Sequence, residues 1–446
     1  NHVADRYDLR RDIDFGTRVQ AARWDDAAAC WRLRTDAGED ITCRHYVMAT
    51  GCLSQPKTPD IEGAGSFKGE VYYTSRWPHQ GVDFTGKRVG VVGTGATAVQ
   101  AIPEIAQQAK QLTVFQRTAN YCVPARNGKV DPEVTKARKA DYENIIKRTR
   151  ESFFGQEHYF IMKSALEATP EEREAEFDKK WDAGGFAFWL ANYQDMFFVE
   201  EANELCADYI RRKIRKTVID QSIADRLMPK GHHYGCKRQP LDTNYYETFN
   251  KPNVKLVDAT MDGAIDEITE RGIRAGGKEY EFDIIVFATG FDAMTGPLKA
   301  LNLKGRNGLT LDKVWADGPH SYLGVSVAGF PNLFTLTGPQ SPSVLTNMPV
   351  AIEQHVEWVA DCIEHMEKTG KKSIEATSKA QEDWVAHVNG VVNMTLMAKA
   401  NSWYMSANIP GKPKAFLPYL DPEGVGGYTK RCAEIAAKGY EGFSLT

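Results

Sequence analysis

The 446-residue sequence predicts an α/β fold of two units, one interrupting the other. Two observations carry this expectation. A compact apolar strand at Lys87–Gly93, a helix-forming stretch at Ala96–Lys110 and a second strand at Leu112–Phe115 make one βαβ unit of the usual length. On either side of that unit stand two segments of one strand-to-turn design, Val47-Met48-Ala49-Thr50-Gly51 and Asp283-Ile284-Ile285-Val286-Phe287-Ala288-Thr289-Gly290. A chain of this length is expected to divide into two or three domains.

The elements follow in order. Thr17–Trp24 and Cys30–Thr35 flank the polar pair Asp25-Asp26, and a further strand-like segment leads into Gly51, so residues 1–51 read as strands in a β-meander. Residues 52–86 are rich in Pro, Gly and aromatics and read as linker and loops. After the βαβ unit, residues 126–233 read as mostly helical and strongly charged. Thr169-Pro170-Glu171-Glu172 is a helix start, with Thr as N-cap, Pro in the first position and Glu three residues after the cap. The Lys and Arg residues of Ile210–Val218 read as a solvated face. Strand character returns at Val254–Val257 and at Asp283–Ala288.

Composition excludes several function classes. Hydrophobic residues at 42% and charged residues at 26% fit a globular protein with a sizeable core. A net charge of -4 gives no reason to expect nucleic acid or an anionic membrane as partner. No apolar run reaches the roughly 18–20 residues that span a bilayer. The charged opening NHVADRYDLRRD carries no secretory signal. The eight cysteines are scattered without a CxxC pair and read as reduced thiols, consistent with the cytoplasm. No metal-ligand spacing is present, and the adjacent His232 and His233 read as ordinary residues rather than ligands.

Gly93-Thr94-Gly95-Ala96-Thr97-Ala98 has the spacing GxGxxA between a strand and a helix, the context in which this pattern binds a dinucleotide. Gly93 permits the tight turn, Gly95 lets backbone approach the pyrophosphate, and Ala98 lets helix and strand pack closely. The helix N-terminus offers free N–H groups and a positive dipole end to phosphates. A site for NAD would place Asp or Glu at the end of the second strand. Phe115-Gln116-Arg117-Thr118 stands there instead, and an Arg pairs with a 2′-phosphate, so the site is expected to prefer NADPH.

These residues belong to a wider pattern. Phe67-x-Gly69-x-x-x-Tyr73-x-x-x-Trp77-Pro78 precedes the turn. Asp83–Gly90, Cys236-Lys237-Arg238, Gly329-Phe330-Pro331-Asn332, Thr337-Gly338-Pro339, Ser341-Pro342-Ser343, Ser402-Trp403-Tyr404 and Asn408-Ile409-Pro410-Gly411 continue it along nearly the whole chain. The sequence resembles the single-chain Baeyer–Villiger monooxygenases that use FAD and NADPH, the cyclohexanone monooxygenase group in particular. The resemblance implies two Rossmann-like dinucleotide-binding domains, for FAD and NADP, with the NADP domain inserted in the FAD domain, plus a helical insertion. Residues 1–51 and 283–446 would then be the two parts of the FAD-binding domain, the second with a C-terminal loop. Residues 52–125 and 234–282 would be the linker and the two parts of the NADP-binding domain, and residues 126–233 the helical insertion.

Two departures stand out. Tyr73 occupies the place of a family His near the hinge between the nucleotide domains. The family also begins with an FAD-binding βαβ unit of its own, about a hundred residues with its connections. This chain has none, so an upstream FAD-binding segment, carrying an Asp that pairs with the catalytic Arg, is expected outside it.

The resemblance implies a reaction in which a ketone, expected to be cyclic, takes up one oxygen of O2 through a C4a-peroxyflavin to give an ester or lactone, with NADPH as reductant. Arg238 falls at the catalytic position, where a permanently charged guanidinium meets developing oxygen anions. Lys237 falls at the 2′-phosphate with Arg117 and Thr118, and neighbours in an extended segment point to opposite sides. Trp403 resembles the residue that closes over the nicotinamide on a mobile loop. Asn347 and Met348 resemble backbone contacts to the flavin ring, and Val19 the contact to its adenine. Two alternatives remain open at this stage. One is another class B flavin monooxygenase acting on amines or sulfides, against which Phe67–Pro78 argues. The other is a non-catalytic NADPH-binding fragment lacking FAD.

Overall fold

The computed structural model describes residues 1–446. The βαβ unit forms the centre of a five-stranded parallel sheet. Its order is Val254–Asp258, Gln111–Gln116, Arg88–Val92, Ile284–Phe287 and Glu70–Tyr73. Every neighbouring pair runs parallel. Val89, Val91, Ile284, Ile285 and Val286 are fully buried, as expected of strands covered on both faces. One face takes the helix Ala96–Gln108, whose Ala98, Val99, Ile102, Ile105 and Ala106 recur at helical spacing. The other takes an antiparallel meander of Ile265–Ile268, Gly272–Ala275 and Lys278–Glu281. Its Ile268, Ile273 and Ala275 pack with Val92, Phe115, Ile285 and Phe287.

A second unit joins distant parts of the chain. Val19–Asp25, Cys30–Thr35 and Asp40–Cys43 form an antiparallel meander that Asn302–Lys304 extends in parallel. Tyr46–Met48 pairs in parallel with Leu333–Thr335. A small core of Trp24, Trp31, Met48, Leu303, Phe330 and Leu333 closes it. Trp31 is fully buried, and its indole N–H donates to the Pro331 carbonyl at 2.8 Å. This association of residues near 20–48 with residues near 300–335 is the discontinuous arrangement expected from the sequence.

Three readings differ from the structure. The sequence places Asp283–Gly290 in the second part of the FAD-binding domain, but Ile284–Phe287 lies inside the five-stranded sheet, between Arg88–Val92 and Glu70–Tyr73. Its strand-to-turn design is local and does not specify the neighbouring strands. Residues 52–86, read as loops, contain the edge strand Glu70–Tyr73, whose half-exposed positions weaken the apolar signal. Residues 1–51, read as strands, open with the short helices His2–Arg6 and Leu9–Asp12, which bury nothing.

Residues 126–233 are helical as expected, with Pro132–Ala140, Tyr142–Glu151, Pro170–Ala183 and Glu200–Thr217 as the longest pieces. Thr169 and Glu172 form a complete capping box at Pro170. The apolar side of these helices joins the main core through Phe177, Phe188 and Tyr209. No helix is long and apolar enough to cross a membrane. No cluster of His, Cys, Asp and Glu could hold a metal ion.

Candidate active site

The glycine turn is shaped by backbone geometry. Gly93 has φ +115°, and a Cβ there would stand 2.6 Å from the Ala288 carbonyl oxygen, so only glycine fits. Its N–H donates to Phe115 at 3.0 Å. Thr94 is buried and its hydroxyl donates to the Thr118 carbonyl at 2.9 Å. Asn120 donates to the Thr94 carbonyl at 2.7 Å, so the two strand ends are tied together. Gly95 is the N-cap of the helix and provides no side-chain cap. Nothing lies within 4 Å of where its Cβ would be. Ala96 and Thr97 are exposed in the first turn, while Ala98 is fully buried against the sheet. The result is an open, uncapped helix N-terminus, a seat for phosphate.

Cations surround that seat. Arg117 is exposed at the end of Gln111–Gln116. Burial holds the Lys237 ammonium below the ordinary lysine range, and the charge of Arg117 adds to the effect. Lys57 is held down in the same way, by burial and then by Arg117. None of the three has a carboxylate within ion-pairing distance, although the chain has ion pairs over much of its surface. The acid at the end of the next strand, Asp258, instead accepts from the Gln116 amide. Unpaired cations around an open helix end fit a phosphorylated nucleotide. His232 adds to the picture: its Nδ1 is buried without a partner, and burial together with Lys237 pushes its pKa down to about 3, so it stays neutral.

Arg238 faces a different environment. Its Nη1 donates to the Val344 carbonyl at 2.9 Å. Its guanidinium lies 4.8 Å from the Phe186 ring and 5.8 Å from the Trp189 ring. Like Arg117, Lys237 and Lys57, it has no carboxylate partner. The Tyr404 hydroxyl and the Trp189 indole N–H are buried nearby without hydrogen bonds. Arg238 acts on the Tyr404 hydroxyl and on the half-buried Cys52 thiol. Gly235, at φ +79°, lets the chain pass Trp189, where a Cβ would stand 2.8 Å from the indole nitrogen. A fixed cation among aromatic rings, with orphaned donors beside it, fits a planar, hydrogen-bonding ring system such as a flavin.

The remaining residues fall around these two centres. Asn347 caps the helix Met348–Thr369, three residues after Val344, and its N–H donates to Phe154 at 2.8 Å. Asn347 and Met348 are therefore brought to the Arg238 side. His355, on the same helix, accepts from the Thr337 N–H at its Nδ1 and meets the Tyr428 hydroxyl at its Nε2, both at 2.9 Å. Those bonds require the neutral Nε2–H form and fix the Thr337-Gly338-Pro339 turn to the helix. The half-buried Trp403 ring lies 4.3 Å from the ring of Tyr404, tilted by 52°, and Tyr404 in turn lies by Arg238. Tyr73 lies in register with Phe287 and stacks on it at 5.3 Å, next to the strand whose end meets Gly93. Val19 sits apart, in the four-stranded sheet opposite Thr35. Lys57, Phe186 and Trp189 stand outside every motif of the sequence, whereas Tyr404 lies in Ser402-Trp403-Tyr404 without a role of its own there. Each comes from a segment far from Lys237 and Arg238, and no local pattern gives its role.

Comparisons with known proteins place the whole chain in a family. Residues 4–156 match the family described as pyridine nucleotide-disulphide oxidoreductase. The chain is 39% identical over 454 residues to the 2-oxo-Delta(3)-4,5,5-trimethylcyclopentenylacetyl-CoA monooxygenase of Pseudomonas putida, covering 100% of this chain and 83% of that protein. It is 41% identical to a Baeyer-Villiger monooxygenase of Pseudooceanicola batsensis, over 99% of this chain and 80% of that one. Among solved structures, oxidised steroid monooxygenase bound to NADP superimposes with a TM-score of 0.93 at 46% identity, covering 100% of this chain and 83% of the other. The chain belongs to the Baeyer–Villiger monooxygenase family.

Proposed function

We propose that this protein is an FAD- and NADPH-dependent monooxygenase that inserts one oxygen atom of O2 beside the carbonyl of a ketone, giving an ester or lactone. The observation that carries the reading is Arg238, a guanidinium without a carboxylate partner, held among aromatic rings by a segment whose preceding residue faces the phosphate seat. Residues 52–125 and 234–290 form the nucleotide-binding part in this reading, and residues 1–51 and 291–446 the flavin-binding part. NADPH and FAD, when bound, would supply the reducing equivalents with which O2 is activated. The eight free cysteines suit a reducing compartment, and the enzyme is assigned to the cytoplasm.

The chain's own residues do the following. Gly93, Thr94, Gly95, Ala96 and Thr97 receive the pyrophosphate on backbone, and Arg117, Thr118 and Lys237 hold the 2′-phosphate. Arg238 orients the ketone oxygen and stabilises the negative charge that develops on it. The aromatic surroundings exclude water, which strengthens that interaction. Trp403 and Tyr404 cover the site from the C-terminal loop. Asn347, Met348 and Val19 offer backbone to the flavin.

Arg238→Ala tests the reading. Rapid mixing without oxygen should show flavin reduction by NADPH at a rate near that of the parent. Ester or lactone formation should fall by about 100-fold or more, the usual cost of losing a group that stabilises an oxyanion. Product formed at the parental rate would end the assignment.

A further inference from the structure

Lys57 lies in the rigid segment Pro56-Lys57-Thr58-Pro59. Backbone bonds fix it against the end of the Ile284–Phe287 strand. Its N–H donates to the Gly290 carbonyl at 3.0 Å, its carbonyl accepts from the Thr289 hydroxyl at 3.2 Å, and Pro56 bridges Phe291. Its side chain does something else. The Lys57 ammonium donates at 2.8 Å to the carbonyl of Asn408, in the loop that carries Trp403. Asn408 returns a bond from its amide to the Phe291 carbonyl at 2.9 Å, and Lys412 pairs with Asp292. The loop is thus docked on the segment that follows the strand meeting Gly93.

Nothing at this point neutralises Lys57. A carbonyl is an uncharged acceptor, and the nearby charges are Arg117, which disfavours the ammonium, and Asp60, which favours it to a smaller extent. Arg117 acts on Lys237 in the same sense. Arg117 thus disfavours the charge of two lysines brought to it by two other segments, and an anion placed among them would favour all three charges. An ammonium has several donors and can hold a carbonyl and a phosphate at once.

We propose that Lys57 is a third cation of the nucleotide phosphate seat and the latch that docks the Trp403 loop onto it, so that a 2′-phosphorylated nicotinamide nucleotide closes the loop and an unphosphorylated one does not. This rests on the reading of Arg117 and Lys237 as the 2′-phosphate site. It makes Lys57 a positioning residue: it selects the nucleotide and transmits its presence to the loop, and it does not touch the ketone.

The test uses the flavin-loaded enzyme, with NADP+ and NAD+ as probes. Two quantities are measured: the dissociation constant of each nucleotide, by calorimetric titration, and the rate of tryptic cleavage after the exposed Lys414. In the parent, NADP+ should slow the cleavage and NAD+ should not. Lys57→Met should weaken NADP+ by about tenfold, as for loss of a charged hydrogen bond, leave NAD+ unchanged and abolish the protection. Lys57→Arg should recover part of both. The proposal is overturned if Lys57→Met binds NADP+ as the parent does, loses both nucleotides equally, or keeps NADP+ protection. Arg117→Ala is run beside it. If that variant still prefers NADP+, the phosphate-site reading itself fails. If it loses the preference while Lys57→Met keeps it, only the role of Lys57 falls.

Discussion

The glycine turn and the Arg238 pocket are served by adjacent residues, Lys237 and Arg238, yet they are built on opposite principles. The turn is made of backbone. A positive φ, a missing Cβ and an uncapped helix end create the seat, and cations gather round it without touching an acid. The pocket is made of side chains. One carbonyl and two aromatic rings position a single guanidinium, with the buried Tyr404 hydroxyl beside it. The difference teaches where each is vulnerable. The turn should fail through shape, and the pocket through charge and polarity.

The largest expected effect breaks the turn. Gly93→Ala puts a Cβ against the Ala288 backbone oxygen at a φ that L residues rarely adopt. Strain and the enforced shift together should cost about 2–4 kcal/mol. Thermal unfolding should move down and NADP+ affinity should collapse. Gly95→Ala is the matched control. Gly95 has φ -78° and open space at its Cβ position, so the fold should tolerate the methyl group while the seat is partly filled. Its unfolding midpoint should match the parent, with weaker NADP+ binding. If Gly95→Ala bound NADP+ as the parent does, the open space would not be the seat.

A smaller effect sharpens the other side. Asp242 follows Arg238 in the short strand Leu241–Asp242 and accepts the N–H of Tyr245. Burial is the main cause that raises its carboxyl from 3.8 to about 6, against that backbone bond. The native state therefore holds this proton more tightly than the unfolded chain. The contribution of the protonated form is complete below about pH 4 and is lost as pH rises through about 6. Asp242→Asn keeps an acceptor for Tyr245 and removes the ionisation. Above pH 6 the variant should unfold a few degrees higher than the parent, and at pH 4 the two should coincide. An equal difference at both pH values would show that the buried charge is not the cause.

The same contrast explains what the sequence made legible. Gly93, Gly95, Ala98 and Arg117 act through local backbone and strand position, and a short window of sequence contains everything that defines them. The strand Ile284–Phe287 is legible as a strand because its residues are all apolar, but its partners, Arg88–Val92 and Glu70–Tyr73, are set by the whole sheet and not by those four residues. Arg238 was recognised through a family likeness. Its surroundings are not legible in the same way, because Phe186 and Trp189 are ordinary aromatic residues until the fold brings them to it. Lys57 is the extreme case: a lone lysine between prolines, in a segment read as linker, whose meaning lies wholly in Asn408 and Arg117.

The smallest effect concerns Tyr73, where the comparison is most finely balanced. Its ring stacks on Phe287 with an interplanar angle of 23°. It therefore packs like a pocket residue while sitting beside the strand end that shapes the turn. Histidine is also planar and can keep that stack, so Tyr73→His should change stability by no more than about 1 kcal/mol, the worth of an aromatic pair. Unlike tyrosine, it titrates near neutral pH and can exchange a proton at this border. The fraction of consumed NADPH that appears as ester should stay the same or rise. An inactive Tyr73→His enzyme would mean that this border is rebuilt around the tyrosine ring, and that the two regions share more than their adjacent cations.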